Sequence, residues 1–562
     1  MSDKPTSQPS APTVSGVLGI NLRWLVGTIV VLGILAVAGR QGWRFYIHKK
    51  ELHLAAQSAG YLEKRDIRSA VLSAREALKI NPFNLEASRV MARVTDLAST
   101  PDSIGWWGRV AELDGYQTDT VLNWASSGLR FNEWATVDAI LGKVDEKGRK
   151  TARYHQIAGG LAVGTRQYAV AEFHFIRALR LETNNPVNQL NLATVRLFST
   201  NTTVIRQSVT TLELLRTNPV CRLPAQRALV ASAARGTDNE AYLSRARELI
   251  ANPGVQFPDR LEYLHALRRA RTNEFSGELS RHMTQAARQD GAVFLMTRWM
   301  NQEKLSKEAL AWHQTLDPAL LASAPVKLVI GETMLVLGDW KALQKHAGTG
   351  GWDQMEFMRR ALLARSLREQ RLDIESRNQW QQAVSEARQG SVATLMLAQT
   401  AESWGWIPES EELWWNIALG KSGQKSALKA LYRIYENQGN SKQLLQVLTR
   451  ALQLDPDDVF ARNNHAMLSM ILNMELPAAF ENAANVYKKD PANISFISTQ
   501  AFSLYLQKRS GEALKLLLTI PKDRLETPEF ALIHGLVLAD QGDRAGAIRA
   551  LERARRAKAL LP

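Results

Sequence analysis

Cysteine is almost missing from this sequence, with one among 562 residues. Cys221 alone excludes an intrachain disulfide, and it leaves a thiolate metal site with a single ligand. The compartment stays open, because disulfide-free proteins occur on both sides of a membrane. Concentrated charge is missing too. The formal net charge is +15, and residues 1–50 hold Lys4, Arg23, Arg40, Arg44, Lys49 and Lys50 against Asp3. The rest of the excess is spread over more than five hundred residues. That favours acidic partners or an anionic surface only weakly, and it lacks the patch of a dedicated nucleic-acid binder. Nucleic acid is not an expected partner.

Catalytic signatures are absent as well. The ten histidines are scattered, and no His-Glu-x-x-His occurs. The stretch WNIALGKS, Trp415–Ser422, ends like a phosphate-binding loop, but it lacks the first glycine and follows a helical pattern rather than a strand. Gly348-Thr349-Gly350-Gly351 has no strand before it and reads as a break after a short helix. No serine is singled out as a nucleophile. The expectation is no enzyme, no metal and no cofactor.

What is present begins at the N-terminus. Residues 2–15 are rich in Ser, Thr and Pro, and 1–21 is expected to be a disordered tail. WLVGTIVVLGILAVAG, Trp24–Gly39, follows without a charge between Arg23 and Arg40. At 1.5 Å per residue this run reaches about 24 Å, a little short of a ~30 Å hydrocarbon layer. Snorkelling arginines and the flanking Leu22, Trp43 and Phe45 cover the difference. Residues 22–42 are therefore expected to form one transmembrane helix in the cell (inner) membrane, with Trp24 and then Trp43, Phe45 and Tyr46 as interfacial anchors. A buried core helix and a cleaved signal peptide, with Ala36-Val37-Ala38 as its small-x-small site, stay open as other readings. Two Lys/Arg precede the run and four follow it, which places the bulk of the chain in the cytoplasm. A short tail retained inside would export it to the periplasm instead.

Beyond the run, the sequence repeats. Units starting at 290, 324, 357, 391, 425, 460, 494 and 528 follow one another at 33 to 35 residues. Small residues recur at positions 7 or 8, 20 and 27 of a unit, a large one at 11 or 24, glycine at 15 and proline at 32. Gly338, Gly405, Gly439 and Gly542 hold position 15, where a left-handed residue would turn the chain back. Pro82, Pro456 and Pro491 hold position 32, where proline ends a helix. Looser units start at 51, 85, 119 and 152, the last with Gly159, Ala171, Phe175 and Ala178 at 8, 20, 24 and 27. Residues 186–289 show helix pairs and breakers without a readable register.

This pattern resembles the tetratricopeptide (TPR) repeat, two antiparallel helices in 34 residues. Nearly the whole chain is similar to membrane-anchored bacterial TPR proteins. The resemblance implies an all-α, right-handed α-solenoid, preceded by the transmembrane helix. It divides the chain into TPR-like repeats at 43–185, divergent helical repeats at 186–289 and a tandem array at 290–562. It also implies protein partners, gripped as peptides along a concave face lined by each unit's first helix. Groove contacts in such proteins usually come from positions 2, 5, 9, 12 and 13, which here are held by Arg298, Arg365, Arg368, Lys429, Arg433 and Asn464. Such a cationic strip would attract a carboxylate. Glu332 and Gln399 interrupt it at position 9. The expected role is a scaffold for assembly or quality control of a cell-envelope complex. The alternative is a basic solenoid gripping a polysaccharide or nucleic acid. It would use Trp404, Trp406, Trp414 and Trp415, or the arginines of RAGAIRALERARRAKALLP, which otherwise read as packing residues and a polar capping helix.

Overall fold

The turn between two helices sets the architecture. In a computed structural model describing residues 18–420 and 423–555, Gly338, Gly405, Gly439 and Gly542 all have positive φ, between +63° and +84°. The Gly338 N–H donates to the Leu335 carbonyl, and the next N–H, of Asp339, reaches back to Met334. This two-bond closure satisfies the last carbonyls of the first helix and reverses the chain. Arg65, Arg166, Arg271, Lys304, Arg371 and Lys508 make the same closure, with φ between +54° and +64°. A left-handed backbone strains a side chain that has a Cβ. A cation just past a helix C-terminus offsets part of that strain by facing the negative end of the helix dipole.

The described residues contain fifteen such helix pairs and no strand. The first helix of each pair is called A and the second B. The chain divides into two compact units, 1–255 and 256–562. The first holds six pairs, from Leu18–Glu63 with Ile67–Ile80 to Arg222–Arg235 with Asn239–Ile250. The second holds nine, from Phe257–Arg269 with Phe275–Ala286 to Pro528–Asp540 with Arg544–Arg555. The eight A helices expected from 290 onward begin within one residue of the expected starts. Residues 186–289, without a readable register in the sequence, also form pairs, whose A helices begin at Pro186, Arg222 and Phe257.

Within a pair the close approach is steric. A Cβ built on Gly159 would lie 2.4 Å from the ring of Phe175, so only glycine lets this A helix meet its B helix there. Gly535 stands in the same way against Leu551, at 2.8 Å. Ala70, Ala74 and Ala77 are fully buried at the corresponding seam of the first pair. Between pairs, Asn81, Asp455 and Asp490 stand before prolines with ψ near +80° to +100°, as the proline ring requires. Asn84, Asp458 and Asn493 then cap the next A helix through their side-chain oxygens. Where a B helix is only eight or nine residues long, a short helical turn follows and keeps the period. Pro318–Ala322 does so after Ser306–His313, and Lys522–Leu525 after Ser510–Leu517.

Residues 22–42 lie within the single helix Leu18–Glu63. Most of their side chains, and the tail at 1–17, fall outside the described residues. Among the described residues no helix is long and apolar enough to cross a membrane.

Candidate interaction face

The six candidate groove residues all lie on A helices of the second unit. Arg298 is on Asp290–Gln302, Arg365 and Arg368 on Glu356–Glu369, Lys429 and Arg433 on Gln424–Asn437, and Asn464 on Val459–Ile471. They hold positions 5, 9 and 12 of their repeats, on four hairpins, with the hairpins beginning at Ala324 and Ser391 intervening.

Each arginine already has a carboxylate. Arg298 lies 3.6 Å from Glu332 on the next A helix, and its guanidinium sits over Phe294. The interruption at position 9 is thus Arg298's partner. Burial raises the Glu332 pKa, against the pull of Arg298. Arg365 pairs with Glu369 at 2.9 Å, and Arg368 donates to Glu409. Arg433 donates to Glu402, whose other oxygen accepts the Trp414 indole N–H at 3.1 Å. A partner carboxylate would therefore have to displace existing pairs. Lys429 is exposed and has no ion pair among the described residues. Asn464 is half-buried and accepts from Asn463 at 3.1 Å.

Tryptophans fix the two central arginines. Arg365 lies 5.6 to 5.9 Å from the ring centres of Trp340, Trp404 and Trp406, and Arg368 lies 3.6 Å from that of Trp406. Trp406 also meets Trp380 edge to face and is buried. Trp414 is buried, and Trp415 donates to the Tyr435 hydroxyl at 2.8 Å. Cation–π contacts of this kind stiffen the guanidinium planes and leave the indoles little free face. The basic C-terminal helix is partly neutralised as well, with Arg553 3.4 Å from Glu526. Arg556 and Lys558 lie outside the described residues.

The sequence did not point to a recess further along the same face. It has a volume of about 630 Å³ and opens among the A helices Gln424–Asn437, Val459–Ile471, Ile494–Leu506 and Pro528–Asp540. Tyr432, Asn463, Asn464, Ser498 and Thr499 supply its polar wall, while Met467, Ile533 and Phe530 supply an apolar one. Asn464 is the one expected groove residue that lines it.

No protein family matches the chain, and no curated protein does. Solved structures are similar only at a distance. The crystal structure of the APC/C hetero-tetramer Cut9–Hcn1 is 12% identical, spans 91% of this chain and 98% of that one, and has a TM-score of 0.27. The pilF protein of Pseudomonas aeruginosa is 17% identical over 39% of this chain and 97% of its own, with a TM-score of 0.30. Naa15/Naa10 bound to HypK-THB is 12% identical over 90% and 75%, with a TM-score of 0.24. Likenesses this weak transfer nothing about partners. The stacking of helical hairpins stands on this chain's own period, turns and seams.

Proposed function

We propose that this chain is a membrane-anchored, non-catalytic scaffold of the bacterial type. It holds other proteins along its A-helix face during assembly or quality control of a cell-envelope complex. The observation that carries this reading is the unbroken helix Leu18–Glu63. Its charge-free run leads without a turn into residues that pack as the first A helix, where Ala55 is buried. Between the two, Trp43, Phe45 and Tyr46 are exposed, as are Arg40, Arg44, Lys49 and Lys50. Apolar run, aromatic belt and basic flank together suit a bilayer and its headgroups. The eight residues 43–50 span about 12 Å of helix, so an anchored array would begin close to the membrane surface. Confinement there raises its effective concentration towards membrane-bound partners. The Lys/Arg count favours a cytoplasmic array, and a periplasmic one is the alternative.

Two measurements test this. Alkaline carbonate should leave the full-length protein in the membrane pellet, whereas release of the intact chain into the supernatant removes the anchor from the proposal. Crosslinking in native membranes, read by mass spectrometry, should join residues of the A-helix face to a small reproducible set of proteins. Recovery of a polysaccharide or nucleic acid in place of protein would transfer the function to polymer binding.

A further inference from the structure

The first unit carries an open recess of its own, with a volume of about 1070 Å³, along the B helix Asp102–Leu113. Two glycines shape it. A Cβ built on Gly108 would lie 3.0 Å from the Trp124 ring, so this glycine lets the indole of the next A helix, Thr118–Arg130, come against the B helix as a wall. Gly105, almost a turn earlier, has nothing within 4 Å of its built Cβ and leaves the floor bare. Trp106 and Phe83 complete the aromatic lining, and Phe83 is 72% exposed.

Three charged side chains line the same space. The carboxylates of Asp102 and Glu112 are exposed and have no ion pair or hydrogen bond among the described residues. Arg109 donates to the Pro82 carbonyl, and its guanidinium stands 5.8 Å from the centre of the Trp106 ring. This mixture of signs narrows the ligand. A cation would meet Arg109, and an anion would meet Asp102 and Glu112, each at a Coulomb cost. A neutral molecule rich in hydroxyls avoids both costs, because a hydroxyl donates to a carboxylate and accepts from a guanidinium. Aromatic walls then favour a ligand with a flat face of C–H bonds, which the negative face of the ring attracts. A pyranose ring has both features, hydroxyls around its edge and C–H bonds across its face.

Going beyond the scaffold reading, we infer that this recess binds a neutral oligosaccharide, with pyranose rings against Trp106 and Trp124 and hydroxyls on Asp102, Glu112 and Arg109. The two carboxylates stand about 15 Å apart along the helix, so a chain of rings is needed to reach both. The recess lies at the upper end of the roughly 300–1,000 Å³ of ordinary ligand sites, which also suits more than one sugar.

The test is calorimetric titration of the full-length protein in nanodiscs, with empty nanodiscs as the blank. The probes are neutral tetrasaccharides of glucose, mannose, galactose and N-acetylglucosamine. At least one should bind with a Kd below about 1 mM, and added salt should leave that Kd unchanged because the ligand is uncharged. Gly105→Gln is the deciding variant. It fills the bare floor, so binding should weaken at least about tenfold, while hydrogen-exchange protection of Asp102–Leu113 is kept or raised because glycine is a poor helix former. Glu112→Gln, at an exposed position, should weaken binding about fivefold by replacing a charge-assisted hydrogen bond with a neutral one. Silence with all the tetrasaccharides overturns the inference, as does saccharide binding that survives Gly105→Gln. Tighter binding of tetramethylammonium or of an unrelated decapeptide, lost in Gly105→Gln, would reassign the recess to a cation or a peptide and overturn it equally. Capture of proteins by the A-helix face is read separately, by the crosslinks.

Discussion

Gly159→Ala is a small change that the structure makes expensive. The new Cβ would meet three ring atoms of Phe175 at 2.4, 2.7 and 2.8 Å. Carbon atoms in good contact sit about 3.5–4.0 Å apart. Phe175 is buried, at 4% exposed, so a Cβ at 159 forces ring and helix apart. Overpacking of this kind typically costs about 1–3 kcal/mol. Alanine's helical advantage over glycine returns about 1 kcal/mol, leaving a net loss of up to about 2 kcal/mol. Gly105 is the control. It lies in the helix Asp102–Leu113 with nothing within 4 Å of its built Cβ, so Gly105→Ala should stabilise by up to about 1 kcal/mol. Phe175→Leu should cost about 1–2 kcal/mol alone but relieve the clash, so the double variant should recover at least about 1 kcal/mol relative to additivity. Amide hydrogen exchange over Ala152–Gly164 and Tyr168–Leu181 is the assay, because repeat arrays open locally and blur a single global midpoint. Equal gains at Gly159 and Gly105, or strictly additive costs with Phe175→Leu, would refute the steric seam.

Three further outcomes follow from positions already described. His313 is 3% exposed with Nε2 2.8 Å from Thr297, and burial, aided by His346, lowers its pKa to about 4. The unfolded chain therefore takes up a proton near pH 6.5 that the folded chain refuses until about 4. Roughly 3 kcal/mol of local stability should be lost as pH falls through that window. Hydrogen exchange against pH should show the slope, and His313→Gln should flatten it. Arg368→Met removes the contact with Trp406 and leaves Glu409 without its partner, so it should cost about 1–3 kcal/mol, partly restored by Glu409→Gln. Urea-dependent tryptophan fluorescence reports it. Lys304→Gly should relax a left-handed backbone and stabilise its turn by about 1 kcal/mol, and Gly338→Ala should cost about as much, both read by exchange at the turn.

What the sequence disclosed depended on whether the cause lay within one repeat. Gly338 and Gly405 were legible because glycine is the usual occupant of a left-handed turn. Arg166 and Lys304 were not, because arginine and lysine count as helix formers, and their compensation comes from a dipole formed only on folding. The pairs beginning at Pro186 and Arg222 escaped for a related reason. Gly236, between Arg222–Arg235 and Asn239–Ile250, is extended at φ −77° rather than left-handed, so the marker was missing. On the interaction face the cations could be read, but their partners could not. Glu332, Glu409 and Glu402 stand about a repeat away from Arg298, Arg368 and Arg433 in sequence.

The basic residues of the A–B turns also set how the folded chain meets a protease. Trypsin cuts after lysine or arginine and needs an exposed, locally yielding segment. Arg65, Arg166, Arg271, Lys304, Arg371 and Lys508 place its residue at the exposed apex of six hairpins, where the backbone is already strained. The turns at Gly405, Gly439 and Asn473 offer no such residue at the apex. Brief digestion of the native protein should therefore yield fragments that end inside hairpins, with an A helix and its B helix on opposite sides of the nick. The halves would be held together by seams such as Gly159 against Phe175, so the cut protein would keep its packing until a denaturant separates them.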